Sequence, residues 1–224
     1  MKILAPFLFL FVAGLFLTAC NAGPEGEKIE AEAAKADMTT KAGATYTVDG
    51  PGSQIVWTGS KPTGNHSGTI NITDGKLMAE NGQLTGGEFD LDMTSITVTD
   101  LQPGQGKEDL EGHLKTGDFF EVEKYPNGKF VITNVEATSG KPGVTHTITG
   151  NLTMKDQTKS VSIPANVAVS GDVISAVAPN FTIDRTEWGI VYNSQGLAST
   201  AKDKIIYDEV GLNLQVKANK APVQ

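Results

Sequence analysis

Glu88-Phe89-Asp90-Leu91-Asp92-Met93 decides the architecture, because every second residue is apolar and each neighbour is acidic. Side chains of an extended strand alternate between its faces, so this segment has one dry face and one wet face. The same period recurs further along the chain. Ile148, Leu152 and Met154 alternate with threonines, with Gly150 in the remaining inward place. Val161, Ile163, Ala165, Val167 and Val169 alternate with small or polar residues, and Val210, Leu212, Leu214 and Val216 with Gly, Asn and Gln. Clusters of Gly, Thr, Asn and Asp punctuate the chain about every eight to fifteen residues, the spacing of an all-β sandwich or barrel. One wet face per strand calls for antiparallel pairing and excludes a doubly buried parallel sheet.

About ten such segments follow Thr45. A single closed antiparallel β-barrel is the economical arrangement, since closure removes exposed strand edges. A two-sheet sandwich is the alternative. One short helix is predicted over residues 107–117 (KEDLEGHLKTG), where Leu110 and Leu114 stand four apart and give one apolar edge.

The ends of the chain read differently. Lys2 precedes an almost wholly apolar run over residues 3–17, closed by Leu17-Thr18-Ala19-Cys20. That run is shorter than the roughly twenty residues a membrane-spanning helix needs, and suits the core of a secretory signal. Cys20 is the only cysteine, so no intramolecular disulfide is available and the domain depends on its core. Leu-Thr-Ala-Cys resembles a bacterial lipobox, which implies that Cys20 is acylated and becomes the new N-terminus, anchoring an exported envelope protein to the membrane. Residues 21–44 carry only Ile29 and Met38 as apolar residues of any size, and are expected to form a flexible tether. The net charge of −8, which loss of Lys2 takes to −9, and the lack of a basic cluster argue against nucleic acid as a partner.

Within this frame several segments carry a family resemblance. Tyr46-Thr47-Val48-Asp49 and Ser53-Gln54-Ile55-Val56-Trp57 resemble the opening of the YceI-like family. His113-Leu114-Lys115, then Asp118-Phe119-Phe120-Glu121-Val122-Glu123-Lys124-Tyr125-Pro126 with Phe130 beyond, resemble its most characteristic stretch. Thr149 to Lys155 with Thr158-Lys159, Phe181-Thr182-Ile183-Asp184-Arg185 with Trp188-Gly189-Ile190, and Asp208-Glu209-Val210 through Leu214 follow in the same order. The resemblance implies a lipocalin-like barrel that takes up a polyisoprenoid or similar amphiphilic chain, with no enzymatic activity and no cofactor. The chain then divides into a signal peptide (1–19), a tether after lipidated Cys20 (20–44), a YceI-like barrel domain (45–218) and a C-terminal tail (219–224).

The inward candidates for lining such a barrel are Phe89, Leu91, Met93, Phe130, Ile132, Ile148, Leu152, Ile163, Phe181, Leu212 and Leu214. Alternation alone leaves two readings open, a ligand cavity and a solidly packed barrel whose surface serves another envelope protein. Gly150 and Ala165 leave inward room. Trp57, Arg185 and Trp188 are the candidates for the mouth. Arg185, the only arginine, reads better as an ion pair closing a turn, with Glu187 as one partner, than as a headgroup contact. His66, His113 and His146 have no metal-ligand spacing. No nucleophile elbow or phosphate loop is present, and nothing in the pattern specifies an oligomer.

Overall fold

The computed structural model describes residues 23–36, 43–197 and 200–221. Cys20 and the signal segment lie outside them. Among the described residues eleven strands run in chain order: β1 (Glu27–Lys28), β2 (Glu32–Ala33), β3 (Ala44–Val48), β4 (Gln54–Lys61), β5 (Gly64–Glu80) and β6 (Gln83–Val98), then helix α1 (Lys107–Lys115). After it come β7 (Asn127–Ala137), β8 (His146–Met154), β9 (Gln157–Ser170), β10 (Val173–Asp184), a 3-10 helix at Arg185–Trp188, and β11 (Glu209–Lys220).

The wall is an antiparallel barrel closed through eight positions. β5 to β10 pair in sequence, and β11 pairs with β10. β3 and β4 share the last position between β11 and β5, separated by the turn at 49–53. The alternation read from the sequence sets its inner and outer faces. Phe89, Leu91 and Met93 are buried, whereas Glu88 and Asp90 bond Lys129 on the outer face at 3.0 and 3.4 Å. The Lys129 ammonium holds the Glu88 carboxyl below its ordinary pKa.

β9 and β10 part company. They pair only from Val173↔Ser170 to Val177↔Asn166, leaving a seam toward the end that carries α1. Open edges would strand backbone donors and acceptors. Here the chain's own N-terminal segment fills the gap. β1 pairs parallel with β10 through Glu27↔Phe181 and Lys28↔Thr182, and β2 pairs with β9 through Glu32↔Ser160 and Ala33↔Lys159. Ile29 donates its backbone N–H to the Thr182 carbonyl and buries its side chain in the core. Beyond it the Lys35 amide donates to Asn151, whose own amide donates back to the Lys35 carbonyl.

Two expectations are therefore corrected. Residues 23–36, assigned to a flexible tether, form a strap bonded to the barrel, because the seam offers unpaired edges and a place for Ile29. The C-terminal tail begins later than 219, since β11 runs to Lys220 and the Lys220 amide donates to the Asp172 carbonyl. The helix matches its expected place, with Leu114 buried and Leu110 packed on the core.

Candidate functional site

The barrel is hollow in its half nearer α1. A cavity of about 150 Å³ with a wholly apolar surface lies there. Of the eleven inward candidates, Phe89, Leu91, Met93, Phe130, Leu152, Ile163, Phe181, Leu212 and Leu214 line it. Ile132 and Ile148 lie deeper and line a second, smaller cavity of about 40 Å³. Phe89, Phe130, Ile163 and Leu214 border both, and form a waist between them.

The waist is built by strand register. Phe89 on β6 and Phe130 on β7 are paired residues, so their side chains stand together on the inner face, ring centroids 5.3 Å apart. Gly150, the neighbour on β8, sits under the Phe130 ring, and a Cβ there would collide with the Phe130 Cζ. The space that Gly150 leaves is thus taken by Phe130, correcting the expectation that it contributes open volume. Gly68 has a similar role, because a Cβ at that position would run into the Thr97 carbonyl oxygen and the Trp57 ring.

At the near end the cavity is capped by Leu114 of α1, Phe119 and Phe120 beyond it, and by Ile190 and Ile206. His113 bonds Asp118 at 2.8 Å and meets the rings of Phe119 and Tyr192 edge-on, tying the two parts of this cap together. Glu111 fastens the helix to the wall, accepting from the Thr97 hydroxyl at 2.5 Å and the Val98 amide at 2.8 Å. These bonds lower its pKa.

Of the three mouth candidates, Trp188 and Arg185 have their polar groups engaged within the fold, whereas the Trp57 indole N–H is buried with no hydrogen-bond partner among the described residues. Trp57 is buried and lines the cavity with its ring. Trp188 is fully buried and donates its indole N–H to the Leu152 carbonyl at 3.0 Å, pinning the 3-10 helix to the wall. Arg185 lines the cavity end, but its nitrogens are engaged elsewhere. They donate to the carbonyls of Ile190 (2.6 Å), Tyr192 (3.0 Å), Ile206 (3.1 Å) and Tyr207 (3.2 Å), and to the Asp208 carboxylate (3.4 Å). Burial pushes the guanidinium pKa down, and Asp208 and Asp184 oppose the shift. The ion-pair reading of Arg185 holds with a different partner, since Glu187 instead bonds Lys159 at 2.8 Å.

Sequence reading missed part of the lining. Ile55 and Ile70 on β4 and β5 follow the same alternation and were legible. Phe119 and Ile190 come from irregular segments, where no period announces which side chain turns inward.

A closed barrel around an apolar void is the architecture of small ligand-holding β-proteins of the lipocalin type. The YceI-like domain model matches residues 46–218, and the chain belongs to that family. Among solved structures, Burkholderia cenocepacia BcnA superposes with a TM-score of 0.60 at 18% identity, covering 77% of this chain and 99% of BcnA. A polyisoprenoid binding domain from Saccharophagus degradans superposes with a TM-score of 0.56 at 14% identity, covering 80% of this chain and 99% of that one. At such identities both likenesses concern the fold. A UPF0312 protein of Pseudomonas putida is 31% identical over 98 residues, 44% of this chain and 47% of its own length. One from Pseudomonas aeruginosa is 35% identical over 81 residues, 36% and 40% of the two chains. The matched segment thus spans about half the length of these curated relatives or less.

Proposed function

We propose that this protein is an acyl-anchored envelope protein that takes up one long apolar chain of the polyisoprenoid kind inside its barrel, without cofactor and without catalysing a reaction. The observation that carries the reading is the 150 Å³ apolar cavity. A void left in a core costs about 24 cal/mol per Å³, so one of this size forfeits roughly 3–4 kcal/mol that a solidly packed barrel would retain. A scaffold shaped for stability alone would fill it. One water needs about 10–15 Å³ on the same measure, so the space suits on the order of ten methylene-sized groups. Burying ten methylenes at about 0.8 kcal/mol each yields about 8 kcal/mol, micromolar in order before binding costs. The polyisoprenoid-binding neighbour of the same fold supports this choice of ligand class.

The test is solvent extraction and mass spectrometry of protein purified from its native membrane. A stoichiometric isoprenoid-like lipid is the expected finding, and repeated recovery of empty protein contradicts the proposal. The anchor has its own test in Cys20→Ser, which should release the protein from the membrane fraction.

A further inference from the structure

We infer that Phe89 and Phe130 act as a length stop, so that the barrel accepts an apolar chain only as far as its waist and discriminates ligands by the length of that chain. This rests on the carrier reading above and adds to it the residues that set specificity. The two cavities adjoin inside the barrel, the larger toward α1 and the smaller, about 40 Å³, beyond the waist. Both are apolar in lining, so polarity does not divide them. Four side chains border both: Phe89, Phe130, Ile163 and Leu214. Ile163 and Leu214 are aliphatic and lie on the walls of β9 and β11. Phe89 and Phe130 are rings held as a pair, with centroids 5.3 Å apart and planes inclined by 36°.

The pair is held in place by the wall itself. Strand register fixes both rings on the same face, and Gly150 supplies the flat seat on which Phe130 lies. Swinging Phe130 aside would take its ring away from both Phe89 and that seat, giving up close packing on two sides. A chain lying in the larger cavity therefore meets a supported barrier, with unused apolar space behind it. Each methylene that fits before the barrier raises affinity about fourfold. Each one past it stays in water and adds nothing.

The experiment displaces a fluorescent apolar probe from the full-length protein with straight-chain alcohols of about six to about sixteen carbons. Wild-type affinity should climb about fourfold per carbon and then level off near the capacity of the first cavity, about ten carbons. In Phe130→Ala the climb should continue for several carbons more, so that the longest alcohols bind at least tenfold better relative to the shortest than in wild type. Phe130→Leu, a milder change that keeps the core filled, should shift the break in the same direction by less, and serves if the alanine variant does not fold. Breaks at the same length in wild type and in the folded variants overturn the stop while leaving the carrier reading intact. Absence of saturable displacement by any alcohol from any of the proteins overturns the carrier reading, and the stop with it.

Discussion

A guanidinium carries five N–H donors, and burying one commits the fold to finding acceptors for them. Arg185 is 4% exposed and finds four backbone carbonyls and one carboxylate. Those carbonyls are of Ile190, Tyr192, Ile206 and Tyr207, so one side chain holds the cap over the cavity. Arg185→Lys keeps the charge but has three donors on a single nitrogen, and is expected to cost about 2–4 kcal/mol in urea unfolding. An unchanged midpoint would show that the cap is held by other contacts. The structural role of this residue was legible, because a lone arginine inside an apolar run needs a local reason. Its partners were not. Asp208 lies far along the chain, and proximity in sequence pointed to Glu187 instead. Gly150 teaches the same lesson, since a missing side chain signals space without saying which neighbour occupies it.

Helix α1 and the N-terminal strap are short elements that owe their positions to a few contacts. For α1 the tie is Glu111, whose carboxylate receives two hydrogen bonds from β6. Its folded pKa lies below the ordinary glutamate value, so its contribution is complete above about pH 4.3 and drains as pH falls through the lowered folded value. Glu111→Ala should therefore lose about 1–2 kcal/mol at neutral pH, and the gap from wild type should narrow in acid. A gap that widens in acid would contradict the sign. For the strap the decisive side chain is Ile29, and Ile29→Ala should cost about 2–4 kcal/mol. Amide exchange of the stretches of β9 and β10 that pair with the strap should accelerate with it, and unaltered protection there would mean that the seam is closed without the strap. Long alternating strands were readable because each repeats its pattern many times. The strap was not, since β1 and β2 each span two residues and show no period.

At the scale of the whole molecule, alternation yields a wall with an oily inside, and about ten segments of it yield a barrel. Whether that inside is filled depends on side chains from distant strands failing to meet, which no single segment records. The waist shows both outcomes in one bore, with rings touching at Phe89 and Phe130 and open space on either side. Packing at the waist stiffens the barrel, and the space nearer α1 gives it capacity. The central claim is that this space takes a hydrocarbon out of water, and its most direct test is calorimetric titration of delipidated protein with an alcohol of about ten carbons at several temperatures. The expected result is saturation at one chain per barrel with a dissociation constant of micromolar order and a negative heat-capacity change. Heats that never saturate, or a heat-capacity change of zero, would contradict it.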